Sequence, residues 1–226
     1  MDSQNSISHA PMLDSPPTVR SPDDFPGPAG SVPLMRTLAI TQNITLDGAI
    51  EMLGDWFDPQ AQGEADDLLE ETHRQDAEAD AFLCGRQTFT DLRGYWRDLQ
   101  DDGTGISDYL NGVPKYVVSS TLTDPEWQHT TVLTGDPVDR VRELKEQGGK
   151  DIVLTGSITL AHTLITAGLV DEFRLFVYPA VQGRGRRLFP DGWEASQLRP
   201  LRVVPFGNGV TLMTYGVNDA PGGTAG

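Results

Sequence analysis

Cysteine is almost absent from this chain: Cys84 is the only one in 226 residues, so no internal disulfide can form. Cys84 stands in the apolar run AFLCG, which favours a packing role over a nucleophilic one. Histidine is also rare, and the four residues lack the spacing of metal ligands: His9, His73, His129 and His162. The sequence therefore predicts no metal site.

Positive charge is scarce as well. Lys and Arg together number 17 against 33 Asp and Glu, which gives a formal net charge of −16. Such a chain repels nucleic acid and anionic membrane surfaces, so neither is expected as a partner. No apolar run approaches the roughly 20 residues that a spanning helix needs, and no basic-then-apolar leader opens the sequence. We expect a cytoplasmic protein.

Several motifs of common enzyme classes are missing. The sequence contains no G-x-G-x-x-G dinucleotide fingerprint, no G-x-x-x-x-G-K-[ST] loop and no G-x-S-x-G elbow. The nearest glycine string, Gly183-Arg184-Gly185, leads into Leu-Phe-Pro and not into a helix. The H-x-E and P-C-x-x-C motif of zinc deaminases is absent too. These absences exclude a Rossmann-type dinucleotide site, a P-loop, an α/β-hydrolase nucleophile and a zinc deaminase site.

Composition divides the chain into a folded centre and two tails. Residues 1–34 hold seven of the sixteen prolines and show no periodic apolar face. Such a segment cannot bury enough surface to offset its ordering entropy, so it is predicted to be disordered. The end, 218–226, is predicted to be a flexible tail. The folded domain is expected to span 35–217.

Strand-like and helix-like segments alternate within this domain. The predicted strands are 36–42, 81–85, 114–120, 130–135, 151–156 and 171–181, followed by a hairpin over 201–217. The predicted helices are 63–78, 87–92, 137–149 and 157–168. This alternation is typical of an α/β domain with a largely parallel sheet, and the final hairpin adds antiparallel strands at one edge.

Two strand-to-helix junctions are the strongest candidates for a binding site. They read Gly85-Arg86-Gln87-Thr88-Phe89 and Thr155-Gly156-Ser157-Ile158-Thr159. In an open α/β sheet, ligands bind outside the carboxyl ends of the strands, and unpaired N–H groups at a helix start suit a phosphate. The alternative is structural, with the glycines serving turns and the hydroxyls serving as helix caps.

The segments AFLCGRQTF, YVVSS and DIVLTGSITLAHTLITAGLVDEFRLFVYPAVQGRGRRLF together resemble the dihydrofolate reductase-like superfamily. The step GLVDE and the ending P-x-V-x-G-x-G-x-x-L-F resemble its riboflavin-biosynthesis reductase branch, and TLDG (45–48) resembles that branch's first turn. The similarity covers about 35–216. It implies a three-layer α/β/α fold with a mostly parallel central sheet and a C-terminal antiparallel hairpin.

The resemblance also implies an NADPH site. Arg86 and Thr88 correspond to phosphate-binding residues, and Ser119 and Ser120 to residues around the adenosine 2′-phosphate. Gly156-Ser157 stands where the family has a Gly-Gly turn beside the pyrophosphate. The full predicted cofactor set is Thr41, Gly85, Arg86, Thr88, Ser119, Ser120, Thr155, Gly156, Ser157, Ile158 and Thr159.

The substrate side is less defined. Trp56 and Phe57 could stack on a flat heterocycle or fill the core. Asp47 is the candidate catalytic residue, positioning a proton-donating water, or else a turn aspartate before glycine. The acid that holds a pterin in folate-reducing members cannot be aligned. The first helix offers Glu64, Asp66 and Asp67, which could instead be ordinary charges of its first turn. Three arginines could touch a substrate phosphate or simply be solvated: Arg184, Arg186 and Arg187.

The resemblance thus implies an NADPH-dependent oxidoreductase that transfers hydride to a small pterin-like or pyrimidine-like heterocycle. The first alternative is a non-catalytic NADPH-binding regulatory module, and a weaker one is a partner-binding protein. We also expect a homodimer. Strand 171–181 carries Phe176 on a face that is too aromatic for solvent, although helices of the same chain could cover it.

Overall fold

The computed structural model describes residues 35–57, 66–100, 102–195 and 197–217. The tails predicted at 1–34 and 218–226 lie outside these residues. Within the described residues, the strands are β1 (Leu38–Thr45), β2 (Ala79–Gly85), β3 (Lys115–Val118), β4 (Thr130–Leu133), β5 (Asp151–Leu154), β6 (Glu172–Tyr178), β7 (Leu198–Pro205) and β8 (Thr211–Val217). The helices there are α1 (Asp66–Glu78), α2 (Arg86–Trp96), α3 (Ile106–Gly112), α4 (Pro137–Lys145) and α5 (Ile158–Thr166).

The strands form one sheet in the order β4-β3-β2-β5-β1-β6-β8-β7. The first six strands of this order pair in parallel, and β8 and β7 then add antiparallel pairs at one edge. This arrangement confirms the predicted α/β class with a mostly parallel sheet and a C-terminal hairpin. No helix in the described part of the chain is long and apolar enough to cross a membrane.

One face of the sheet carries the largest apolar core. Side chains from alternate strand positions, such as Leu38, Leu154 and Phe173, pack against Leu144 of α4 and Leu164 of α5. α5 ends in a glycine turn, because Gly168 takes a φ of +66° while its N–H donates to the carbonyl of Ile165. These contacts form one layer of helices on the sheet.

The opposite face is covered by α1, α2 and α3. Near α2 and α3, Phe82, Phe89 and Trp127 form a second apolar cluster around Cys84. Burial raises the pKa of the Cys84 thiol to about 12, so this cysteine is a packing residue, as its apolar run indicates. With helices on both faces, the molecule has the three layers that the sequence resemblance implied.

Asp171, in the GLVDE step, joins three elements at the amino end of the sheet. Its Oδ2 accepts hydrogen bonds from the Leu38 N–H at 2.7 Å and from the Lys145 ammonium at 2.5 Å. Its backbone N–H donates to the Leu38 carbonyl, and its own carbonyl accepts from Val217. Lys145 is buried, with only 4% of its surface exposed. This part of the family-like motif therefore holds β1, α4 and β8 together.

The structure corrects two expectations from the sequence. α3 was not predicted, because ISDYLNG is short and follows glycine-rich residues. The second concerns the aromatic face of strand 171–181, which is the inner strand β6, between β1 and β8. Phe176 is 5% exposed and packs with Leu68 and Phe206 of the same chain. Its aromatic face is covered internally, so it gives no support to a homodimer.

Candidate functional site

The two predicted junctions lie side by side in the sheet. β2 and β5 pair in parallel, with Leu83 opposite Leu154, so both strands end at the same edge. α2 begins at Arg86, directly after β2, and α5 begins at Ile158, a few residues after β5. The structure thus brings together the two segments that the sequence marked separately.

Hydrogen bonds between side chains and backbone connect the two turns. The Ser157 Oγ accepts from the Gly85 N–H at 2.5 Å, and the Ser157 N–H donates to Thr88 Oγ1 at 2.8 Å. The two hydroxyl oxygens of Ser157 and Thr88 are also 2.8 Å apart. The start of α2 and the start of α5 are therefore held in one fixed arrangement. Sequence reasoning included these residues but could not show that they bond to each other.

Gly156 makes this close arrangement possible. Its φ of +64° lies in the left-handed region, and a Cβ there would stand 3.0 Å from Thr88 Cγ2. Its N–H donates to the Gln42 Oε1 at 3.2 Å. Gln42 is a buried residue of β1 that the sequence analysis missed. The sequence did carry a signal for Gln42, because it is a polar residue at an inward position of a buried strand.

The first turns of α2 and α5 keep free donors. Within the described residues, neither helix receives a side-chain cap, whereas Asp136 caps α4 by accepting from two N–H groups. The Arg86 side chain is exposed and forms no hydrogen bond or ion pair with the described residues. Uncapped helix starts and an unpaired guanidinium are the groups that bind phosphate. This edge of the sheet is thus a candidate anion site.

Ser119 and Ser120 follow β3, the strand next to β2. The Ser119 Oγ accepts from the N–H groups of Thr121 and Leu122, at 3.2 and 3.0 Å, and so closes its own turn. Ser120 is exposed. Both lie at the carboxyl edge of the sheet, and their role at a 2′-phosphate stays a prediction.

Three of the other predicted cofactor residues lie at the Gly156 turn, and the fourth, Thr41, lies elsewhere. Thr155, Ile158 and Thr159 surround the Gly156 turn, with Thr159 exposed and the other two partly buried. Thr41 lies within β1, and its hydroxyl is 3.5 Å from the Gln75 Oε1 of α1. It contacts the helix above the sheet rather than the starts of α2 and α5, so a cofactor role for Thr41 is a prediction without support from this geometry.

Asp47 acts as a connector between two loops. Its carboxylate accepts from the Thr45 hydroxyl at 2.6 Å and from the N–H groups of Gln182 and Gly183 at 3.1 and 2.8 Å. These bonds, led by the one from Thr45, lower the pKa of Asp47 to about 2. The carboxylate is thus ionised at neutral pH and does not supply a proton itself. Its catalytic role stays a prediction, limited to positioning a water.

An aromatic group lies at the carboxyl end of β6. The Trp56 and Phe57 rings approach the Tyr178 ring edge-on, with centroids 5.3 and 5.8 Å away. The Trp56 indole N–H donates to the Gln182 Oε1 at 2.7 Å, and the Gln182 amide donates to the carbonyls of Glu51 and Arg184. Sequence reasoning found the first two aromatics and missed Tyr178 and Gln182, which are distant in the chain.

The acids of α1 are engaged with the chain itself. The Asp67 carboxylate accepts from the Gly207 N–H of the β7–β8 turn at 2.9 Å, while Glu64 lies outside the described residues. Glu71, which the sequence analysis did not consider, is buried. Burial raises its pKa, but hydrogen bonds from Arg74, Arg202 and Gln75 outweigh that effect and hold the pKa at about 2. Glu71 is thus fully engaged within the chain, while the exposed Asp67 accepts from the N–H groups of Gly207 and Leu68.

The three arginines of the 184–187 segment differ in their contacts. The Arg186 guanidinium forms an ion pair with the Glu51 carboxylate at 2.8 Å. The backbone N–H of Arg186 also donates to that carboxylate. The Arg184 guanidinium donates to the Leu53 carbonyl at 3.1 Å. Arg187 is exposed. Arg184 and Arg186 thus fasten the loop that carries Trp56, which favours the structural reading of these two charges.

Comparison with known proteins shows which family the chain belongs to. Residues 36–212 match the model of the RibD C-terminal domain. The chain belongs to the RibD C-terminal domain family. It is 32% identical over 188 residues to the uncharacterized protein YyaP of Bacillus subtilis, covering 80% of this chain and 94% of that protein. It is also 24% identical over 172 residues to YwjB of the same organism, covering 75% and 91%.

Solved structures show that this RibD C-terminal domain has the dihydrofolate reductase-like fold. A putative riboflavin biosynthesis protein from Shewanella sp. PV-4 superposes with a TM-score of 0.62 at 18% identity, covering 81% of this chain and 99% of that one. Dihydrofolate reductase from Enterococcus faecalis, complexed with NADP(H), superposes with a TM-score of 0.55 at 18% identity, covering 81% and 97%. At these identities the likeness concerns the fold.

Proposed function

We propose that this protein is an NADPH-dependent reductase. The observation that carries the proposal is the pair of uncapped helix starts, α2 and α5, joined by the Ser157–Thr88 contacts beside the unpaired Arg86. A pyrophosphate with an additional phosphate matches these donors. The family supports a reductase, and the structural neighbour from Enterococcus faecalis was solved with NADP(H).

The residues present are suited to such a cofactor. Arg86 would hold a phosphate through its guanidinium, and Gly156 would let the pyrophosphate approach the start of α5. Ser119 and Ser120 would lie toward the 2′-phosphate. When bound, NADPH would supply the hydride, while the chain orients the substrate and excludes water. Trp56, Phe57 and Tyr178 offer flat surfaces for a small heterocycle.

The proposed substrate class is a pterin-like or pyrimidine-like ring. A pyrimidine reductase-like protein from Corynebacterium diphtheriae shares the fold, with a TM-score of 0.55 at 16% identity. Asp67 and Glu71 already accept hydrogen bonds within the chain and neither is identified as a pterin-holding acid, so dihydrofolate itself is not the proposed substrate. NADPH oxidation is to be followed against a panel of pterins and pyrimidinones. Cofactor binding without turnover of any of them would favour the non-catalytic regulatory module instead.

The Arg86→Ala variant is expected to bind NADPH about 10- to 100-fold more weakly than the wild type, because a charge-assisted bond to phosphate is lost. The wild type is expected to prefer NADPH over NADH. Isothermal titration calorimetry with both nucleotides measures these effects. The control is Arg97→Ala, at the other end of α2, where the guanidinium pairs with Asp98 in solvent. Equal wild-type affinity for the two nucleotides would contradict the proposal.

We also propose a homodimer, now through the hairpin rather than through Phe176. Val203 of β7 is 57% exposed, and it lies opposite the partly exposed Met213 on β8. Tyr215 is on the same face of the hairpin. A contiguous apolar patch on an exposed edge strand is a candidate contact with a partner. A two-fold contact would cover the same patch on both subunits.

The Val203→Glu variant should shift the protein from dimer to monomer, because each subunit would then place a carboxylate in an apolar contact. Light scattering at micromolar concentration measures the mass. Tyr95→Glu serves as the control, since Tyr95 is an aromatic residue of α2 that is 50% exposed and remote from the hairpin in the fold. A wild-type monomer under these conditions would refute the dimer.

A further inference from the structure

The side-chain amide of Gln182 uses every hydrogen-bonding position that it has. Its Oε1 accepts from the Leu53 N–H at 3.1 Å and from the Trp56 indole N–H at 2.7 Å. Its Nε2 donates to the carbonyls of Glu51 and Arg184 at 2.9 and 2.8 Å. Because a primary amide has two acceptor positions and two N–H groups, all four are occupied. The amide, and with it the indole N–H, is therefore held in one orientation.

These contacts require glutamine at position 182. Leucine would leave the Leu53 and Trp56 N–H groups and both carbonyls without this partner. Glutamate has no N–H to donate, so one of its oxygens would face the carbonyls of Glu51 and Arg184. Asparagine carries the same amide on a side chain that is one methylene shorter. The glutamine thus fixes the nitrogen end of the Trp56 indole.

Asp47 fixes the backbone from which that amide extends. Its carboxylate accepts from the N–H groups of Gln182 at 3.1 Å and Gly183 at 2.8 Å, and from the Thr45 hydroxyl at 2.6 Å. Hydrogen bonds to an ionised carboxylate are stronger than those between neutral groups. These bonds, led by the one from Thr45, lower the pKa of Asp47 to about 2. The carboxylate therefore stays charged, and directed at the 182–183 backbone, throughout the neutral pH range.

The Trp56 ring belongs to the aromatic group that is proposed to bind the substrate. The ring is partly buried, and its centroid lies 5.3 Å from that of Tyr178 and 6.0 Å from that of Phe57. Contacts between aromatic rings depend on the angle between them as well as on their distance. The orientation of the indole therefore decides how well a flat heterocycle packs there, and Gln182 supplies the hydrogen bond that sets it.

We propose that Asp47 and Gln182 are positioning residues that orient the Trp56 indole for the substrate ring, and that Asp47 transfers no proton. The inference rests on the proposed reductase function and assigns another role to the candidate catalytic residue of the sequence. Asp47 holds the backbone of residue 182, the Gln182 amide holds the indole, and the indole contacts the substrate. Changes at either residue should weaken substrate binding and leave the turns at Gly85 and Gly156 intact, because other hydrogen bonds hold those turns.

The first test follows the indole itself. The near-ultraviolet circular dichroism spectrum of Trp56→Phe, subtracted from that of the wild type, gives the signal of the ordered Trp56 ring. Gln182→Leu should lose most of this signal, because the indole loses its fixed acceptor. Gln147→Leu, which changes an exposed glutamine after α4, is the control and should keep the signal. A Gln182→Leu variant with the full signal would overturn the inference.

The second test is steady-state kinetics with NADPH and whichever pterin or pyrimidinone of the panel the wild type reduces fastest. Gln182→Leu and Asp47→Asn should each raise the KM for the heterocycle about 3- to 10-fold, the loss expected for a well-oriented aromatic contact. The kcat and the KM for NADPH should stay within about 2-fold of the wild-type values. A purely structural role would lower the melting temperature without this division between KM and kcat.

Both residues act through one ring, so their effects should not add. The double variant should raise the KM no more than about 2-fold beyond the more affected single variant, and Gln182→Leu should add less than about 2-fold to Trp56→Phe. Additive losses would overturn the inference. So would an Asp47→Asn variant that loses about 100-fold in kcat at unchanged KM, the result expected of a group that acts in proton transfer. If Asp47→Asn does not fold, Asp47→Glu replaces it, since the longer side chain keeps the charge and displaces the backbone of residue 182.

The two tests separate this inference from the proposed function. A wild type that reduces no heterocycle of the panel would reject the reductase proposal, while loss of the Trp56 signal in Gln182→Leu would still support the positioning of the indole. Reduction by the wild type, with an unchanged KM for the heterocycle in Gln182→Leu, would support the reductase and reject the positioning role.

Discussion

The Gly156→Val variant is expected to remain folded and to bind NADPH more than about 100-fold more weakly than the wild type. A side chain at a φ of +64° costs about 1–3 kcal/mol of stability. Its Cβ would also stand 3.0 Å from Thr88 Cγ2 and so displace the contacts between the two turns. In the proposed site, valine would further occupy the space through which the cofactor pyrophosphate would approach the start of α5. Fluorescence titration with NADPH measures the affinity.

Gly168→Val is the matched control for this variant. Gly168 has a φ of +66°, and a Cβ there would meet no atom within 4 Å. It follows the far end of α5, away from the candidate site. The two variants should lose similar stability in denaturant unfolding, while only Gly156→Val loses NADPH binding. Normal binding by Gly156→Val would show that the phosphate assignment is wrong.

The Asp171→Ala variant is expected to be destabilised by about 3 kcal/mol, which corresponds to a fall in melting temperature of about 6–12 °C for a domain of this size. The change leaves the buried Lys145 ammonium with only the Leu169 carbonyl as a partner, at 2.8 Å. It also removes the side-chain acceptor of the fully buried Leu38 N–H. Urea unfolding followed by circular dichroism measures the free energy.

Two comparisons identify the cause of that loss. Asp139→Ala breaks an exposed pair with Arg142 in α4, so it should cost less than about 1 kcal/mol. Adding Lys145→Met to Asp171→Ala removes the unpaired buried charge and should recover part of the lost stability. A double variant as unstable as Asp171→Ala alone would show that the Leu38 hydrogen bond, rather than the charge, carries the effect.

The sequence predicted those parts of the fold and site that depend on local pattern. Alternating strands and helices gave the parallel sheet, and the glycines at 85 and 156 marked the two junctions that the structure places side by side. Gly168 correctly predicted the end of α5, because a left-handed residue with no side chain is the ordinary end of a helix.

Contacts between segments that are distant in the chain could not be predicted from the sequence. Nothing in the single chain indicates that Gly85 donates to Ser157, 72 positions later, or that Gln182 accepts from Trp56. Phe176 was misread for a related reason, because its strand pattern does not tell which helix of the same chain covers it. Helix α3 was missed since seven residues after a glycine-rich turn carry little periodic signal.

The way Gln182 holds its loop has a consequence for how such proteins diversify. Its amide accepts from the Leu53 N–H and the Trp56 indole and donates to two carbonyls, so one side chain connects the 51–56 and 182–184 loops. The turns at Gly85 and Gly156 depend on a separate set of bonds around Ser157. Mutations that reshape the aromatic loops could thus accumulate while the turns of the proposed nucleotide site are inherited unchanged.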